Sequence, residues 1–170
     1  MGTGGSMDLI IMGVIAGVSG TLAMDLLNYL FSRTGVILKI DVRMIGRMSA
    51  GWARGRFCYR NPGELEKVAN ESLIGYITHY GIGVGLAVPF VFGWAFLVEA
   101  PVSPAWTLCY GVATTAASWF AVYPSMGFGL FGIRSPEGIR APLSSLANHL
   151  FFGTGMAVAV AIARKAGITV

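Results

Sequence analysis

Four long apolar runs constrain this chain more than any motif does. They cover about residues 9–31, 72–98, 104–123 and 141–164. Runs of roughly 20 apolar residues match the thickness of a bilayer's hydrocarbon core. Lipid offers no partner to a backbone amide, so such runs must be helices unless they close into a barrel. The alternating apolar and polar pattern of barrel strands is absent. Composition agrees: 55% of the 170 residues are hydrophobic and 12% charged, against about a quarter charged in soluble domains, and the mean hydropathy is +0.68. The expected fold is all-α: an integral membrane four-helix bundle forming one transmembrane domain over residues 1–170. The first run is long and lacks a basic flank and a small-residue cleavage site, so it reads as a retained span rather than a signal peptide. The opening MGTGGS resembles a cloning remnant. Cys58 and Cys109 show neither pairing nor metal-ligand spacing.

The basic residues orient the spans. Between the first and second lie Arg33, Lys39, Arg43, Arg47, Arg54, Arg56, Arg60 and Lys67; between the third and fourth lie Arg134 and Arg140. Only Arg164 and Lys165 sit at the other side, and the link at 99–103 has no basic residue. The positive-inside rule makes both basic loops cytoplasmic and both termini periplasmic, in a bacterial inner membrane. Within the loop at 32–71, residues 43–60 read RMIGRMSAGWARGRFCYR. That segment is expected to lie in the interface, with its apolar side in the headgroups and Arg43, Arg47 and Arg54 near anionic lipid. Lipid contact is preferred to nucleic acid, although basic residues mixed with aromatics also suit the latter. The NPGE turn at 61–64 ends it. The Gly- and Pro-rich loop at 123–142 is expected to fold back toward the spans, with Arg134 and Arg140 at its mouth. They could hold a lipid phosphate or another anion, although ordinary positive-inside anchoring accounts for them as well.

The only two histidines sit in one pattern: HYGIGVGLAV at 79–88 and HLFFGTGMAV at 149–158. GVSGTLAM at 17–24 can likewise be laid against GVATTAAS at 111–118. The second and fourth spans should run the same way, which makes the chain readable as a tandem of two transmembrane hairpins, like parallel transporter repeats. His79 lies seven residues inside the second span, His149 eight inside the fourth, and Asp25 six before the end of the first. At about 1.5 Å per residue these positions share a level roughly 10 Å below one surface, and Ser118 falls there too.

Ionisable residues at such depth are by default candidates for function, so Asp25, His79, Ser118 and His149 form a candidate ligand layer. The same groups could instead bond the helices together. Gly83 and Gly153 fall one turn from the histidines, and with Gly85 and Gly155 they read as close-packing glycines, as do the pairs Gly13/Gly17, Ala16/Gly20 and Gly81/Gly85. The glycines could also clear room for haem or another tetrapyrrole ligated by the histidines, and the two histidines with Asp25 would suit a divalent transition metal. A proton or ion path is conceivable from the same groups, yet no second charged layer continues it. No G-x-S-x-G, P-loop or H-E-x-x-H motif is present, and no catalytic residue is assigned.

The series MDLL (24–27), GRF (55–57), GYITHYGIG (75–83), RSP (134–136) and HLFFG (149–153) resembles the DUF2938 family of small bacterial membrane proteins, over nearly the whole chain. That resemblance implies a membrane architecture and singles out the Met-Asp, His-Tyr and His-x-x-Phe-Gly positions, but implies no reaction. The expected role is a non-enzymatic binding or accessory protein whose His/Asp layer holds a tetrapyrrole, metal or lipid-like ligand. The alternatives are a small transporter or channel using that layer, and a structural subunit of a larger membrane complex or homo-oligomer. Membrane lipid is the expected partner, and nucleic acid is not.

Overall fold

A computed structural model describes residues 3–98 and 100–167. Its regular elements are all helical, with no strand among the described residues. In chain order they are α1 (Thr3–Ser32), α2 (Val42–Ala53), a 3-10 turn (Pro62–Glu64), α3 (Glu71–Leu97), α4 (Pro104–Ala113), α5 (Thr115–Ala117), a π-helical stretch (Ser118–Val122), α6 (Tyr123–Ser125), a second 3-10 turn (Leu130–Gly132) and α7 (Arg140–Lys165). Helices α1, α3 and α7 are long and apolar enough to cross a membrane. They match three of the four spans expected from the sequence.

The remaining run, 104–123, is helical but not one α-helix. The backbone keeps right-handed helical angles at Thr114, Ala117, Ser118, Val122 and Tyr123, while its hydrogen bonds change register. The Tyr123 N–H reaches back five residues to the Ser118 carbonyl. The next residue is Pro124, which has no N–H to offer. The β-branched pair Thr114–Thr115 stands just before the slip, and such side chains crowd the preceding turn. A π-bulge in this run, rather than a fourth uninterrupted span, is the result.

By contacts the chain divides into two units: residues 1–27, 80–113 and 149–170 in one, and residues 28–79 and 114–148 in the other. In the first unit α1 packs on α3 and on α7. Gly13 and Gly17 bring the α1 backbone against Val88 and Val84, and Gly20 admits the Phe152 ring and Met156. The Tyr110 hydroxyl of α4 donates to the Leu86 carbonyl of α3 at 2.7 Å. The rings of Phe90 and Tyr110 stack at 4.3 Å, and those of Trp94 and Trp106 lie 5.7 Å apart.

The second unit has its own apolar centre: Ile45 and Met48 of α2, Leu65 and Met126, with Met44, Trp52, Tyr59, Val122 and Phe128 around them. Asp41 caps α2 by accepting from the Arg43 N–H at 3.0 Å. Gly46 and Gly75 let α2 cross the first turn of α3 at backbone contact; a Cβ on either would fall on a carbonyl oxygen of the other helix.

Candidate functional site

The four residues of the candidate layer divide between the units. Asp25, half-buried on α1, and His149, on α7, belong to the first. His79, half-buried on α3, and Ser118, half-buried at the start of the π-helical stretch, belong to the second. Each takes part in an interaction within the protein. Within the first unit, the helices carrying Asp25 and His149 pack directly on one another, because Gly155 of α7 meets the Ser19 carbonyl and Gly20 of α1. His149 is only 8% exposed and its ring stands edge-on to Phe152, centroids 6.4 Å apart. Among the described residues no three His, Cys, Asp or Glu side chains are grouped to hold a metal ion. The expected metal set of two histidines and Asp25 is therefore not formed.

The glycines beside the histidines separate into two kinds. A Cβ on Gly83 would lie 2.0 Å from the Thr21 hydroxyl of α1, and one on Gly153 would lie 2.8 Å from the Leu108 carbonyl of α4. Conversely, a Cβ on Gly17 would meet the Gly83 carbonyl at 2.8 Å, and one on Gly111 the Gly153 Cα at 2.2 Å. Gly17 pairs with Gly83 as Gly111 pairs with Gly153; Gly17 and Gly111 open the segments 17–24 and 111–118, and Gly83 and Gly153 hold the same place in 79–88 and 149–158. Gly85 corrects the expectation: nothing lies within 4 Å of its Cβ position, nor of Gly81's. Two residues from Gly83 is about 200° around the helix, so both face away from the contact Gly83 makes.

The basic segment also differs from its expected role. The apolar side of α2 does not face headgroups: Met48 is fully buried and Ile45 nearly so, inside the second unit's core. The arginines at 43, 47, 54 and 56 are paired with carboxylates. Arg43 bonds Asp41 at 3.0 Å, Arg54 bonds Glu66 at 3.3 Å, and Arg47 grips Glu71 through two bonds of 2.7 and 3.0 Å. Arg56 is bonded to Glu64 as well. The Arg43 guanidinium bonded to Asp41 holds that carboxyl below its ordinary range, against a smaller opposing effect of burial. Glu71 in turn raises Arg47, so both groups stay charged.

The loop at 123–142 folds onto residues 57–61 and α2. The Arg134 guanidinium donates to the Arg60 carbonyl at 3.2 Å, and Ser125 receives the Trp52 indole N–H at 3.3 Å while donating to the Phe57 carbonyl at 2.7 Å. Arg140 has a backbone partner as well as a carboxylate. It reaches the Gly35 carbonyl at 2.7 Å and Glu137 at 3.2 Å, and its side chain remains half-exposed.

Sequence reasoning missed a buried amide network in this unit. Asn28 Nδ2 donates to Asn148 Oδ1 and to the Leu38 carbonyl, both at 2.9 Å, and Asn28 Oδ1 accepts from the Ile40 N–H at 3.1 Å. The Ser144 hydroxyl accepts from the Leu38 N–H at 2.9 Å. The available signal was an asparagine inside each of two apolar runs. Also unforeseen, the indole N–H of Trp119, on the π-helical stretch, is buried without an acceptor. Its ring lies 5.3 Å from Phe131, a non-glycine residue at φ 55°.

A family model described as a protein of unknown function, DUF2938, matches residues 14–163. No curated protein and no solved structure matches the chain.

Proposed function

We propose, for a chain that belongs to the DUF2938 family of proteins of unknown function, a multi-pass inner-membrane protein that binds a ligand rather than transforming one. Its basic loops face the cytoplasm and its termini the periplasm. Asp25 and His149, on packed helices of the first unit, are its ligand-holding pair, and the ligand is a tetrapyrrole or a lipid-like molecule. The observation that carries this reading is His149. It is a titratable ring 8% exposed in a helix of membrane length, beside an aromatic ring and next to the helix that carries Asp25. An ionisable ring inside a membrane-length helix is by default a candidate for function.

The test is the visible absorption spectrum and the extractable lipid of the purified full chain. A bound chromophore or a retained lipid-like molecule, lost in Asp25→Ala and in His149→Ala, is the expected result. Wild-type protein carrying neither would reduce the pair to helix-to-helix bonding.

The transporter reading is favoured by one observation. The helix pairs α1/α3 and α4/α7 each close on glycines at positions the two sequence repeats align, as a parallel repeat would require. Substrate flux in proteoliposomes that disappears in Asp25→Asn and His149→Ala would select it. The reading as a subunit of a larger assembly draws on Gly81 and Gly85, which meet nothing within 4 Å. A monomer without partners in mild detergent would oppose it.

A further inference from the structure

The turn that follows α1 is lashed to the start of α7, and the junction carries positive charge that α2 does not. The Arg140 guanidinium donates to the Gly35 carbonyl at 2.7 Å, and Ser144 of α7 holds the Leu38 N–H. The ends of two membrane-length helices therefore meet at one place, and everything at that place lies within the second unit. Three cations stand there. Arg33 lies 4.6 Å over the Tyr29 ring, Arg140 spans Gly35 and Glu137, and Lys39 is exposed. Asn28 binds the backbone on both sides of Lys39, at Leu38 and Ile40, which leaves the lysine side chain to the outside. Glu137 is bonded to Arg140, and Asp41, two residues from Lys39, is bonded to Arg43.

Between these charges stand exposed apolar side chains. Val36, in the turn after α1, is 70% exposed and Ile139, just before α7, is 71% exposed; Phe31 and Leu143 are exposed as well. A soluble acidic partner would have no use for bare aliphatic tips at the ends of membrane-length helices. A lipid interface uses both: aliphatic tips enter the acyl boundary, and cations beside them reach the phosphates.

We infer that this junction, and not α2, is the surface that docks anionic phospholipid headgroups. Val36 and Ile139 seat it in the leaflet, while Arg33, Lys39 and Arg140 receive the phosphates. The inference uses the membrane reading of α1 and α7 and is independent of the His/Asp layer, so either can fail without the other.

Native mass spectrometry of the full chain in mild detergent tests it, with an equimolar mixture of dioleoyl phosphatidylglycerol and dioleoyl phosphatidylcholine as the probe. Wild type should retain phosphatidylglycerol over phosphatidylcholine by about fivefold or more, the effect of a single engaged cation. The triple variant R33Q/K39Q/R140Q should fall to near parity. K39Q alone, which disturbs no bond in the fold, should lose a several-fold share of the preference. R54Q, at an arginine already paired with Glu66, should keep all of it. Equal retention of the two lipids by wild type would overturn the inference. So would a preference that survives in both the triple variant and K39Q, or one that R54Q loses as fully as K39Q does.

Discussion

Asn28 and Asn148, 120 residues apart in the chain, are joined amide to amide at 2.9 Å, and both are buried. Asn28 is the more demanding of the two. Its two N–H groups serve Asn148 and the Leu38 carbonyl, while its oxygen receives the Ile40 N–H. One side chain therefore fixes the extended segment after α1, with Lys39 on its outer side.

Removing that side chain strands several polar groups at once, and a buried donor or acceptor left unpaired costs about 1–3 kcal/mol. Asn28→Ala should destabilise the protein by about 2 kcal/mol or more, measured by thermal unfolding in detergent. Asn148→Ala should cost less, since it removes one of the three bonds and leaves Leu38 and Ile40 held. Equal losses in the two variants would mean that the segment after α1 is not organised by Asn28.

Asp41 should make the second unit sensitive to acid. Its carboxyl is held below the ordinary range chiefly by its bond to Arg43. A carboxyl with a lower pKa folded than unfolded stabilises the fold above its unfolded value, about 3.9. That contribution is lost as the pH falls through the folded value. Asp41→Asn keeps a side chain able to cap α2 but removes the charge, whereas Asp41→Ala removes both and should cost about 1 kcal/mol more generally as a lost cap. Unfolding midpoints measured at pH 6 and pH 3 should differ more in wild type than in Asp41→Asn. An identical pH difference in the two proteins would show that the ion pair contributes nothing.

The three membrane-length helices were legible because hydropathy and length alone determine them, whatever the tertiary contacts. The behaviour of 104–123 was not, since its composition is that of a span and only the hydrogen-bond register, shifted ahead of Pro124, betrays the break. The face of α2 was misjudged for a related reason. Ile45, Met48 and Trp52 read as an amphipathic stripe, and a stripe fits a bilayer interface as well as it fits a protein core. Only Leu65 and Met126, distant in sequence, decide between them. Among the glycines beside the histidines, spacing alone gave Gly83 and Gly85 equal standing, while the direction in which α3 meets α1 makes only Gly83 a contact.

Trp119 offers a test in the opposite direction, a substitution that should do no harm. Its buried indole N–H has no acceptor, and such a group pays for desolvation without return. Trp119→Phe keeps a ring to stand against Phe131 and removes the orphan donor. The thermal midpoint should stay unchanged or rise slightly. A loss above about 2 kcal/mol, beyond what the smaller ring alone explains, would mean that the indole nitrogen has a partner in the membrane-bound protein.

The paired glycines give the sharpest prediction, because the same substitution at different glycines should have opposite outcomes. A methyl group on Gly17 would lie 2.6 Å from the Val84 Cα, and one on Gly111 would lie 2.2 Å from the Gly153 Cα. Backbone cannot swing aside as a side-chain tip can, so both helix pairs would have to separate. Overpacking of this kind typically costs about 1–3 kcal/mol, and Gly17→Ala and Gly111→Ala should each fall at the upper part of that range. Gly81→Ala, on α3 with nothing within 4 Å, lacks the clash and gains helix propensity, about 1 kcal/mol by the ordinary scale. Unfolding of the three variants side by side in detergent should order Gly81→Ala at or above wild type, with Gly17→Ala and Gly111→Ala well below it and close to one another. If Gly17→Ala and Gly111→Ala were as stable as wild type, α1 with α3 and α4 with α7 would not be closed by glycine contact. The likeness of 17–24 to 111–118 and of 79–88 to 149–158 would then have no counterpart in the packing.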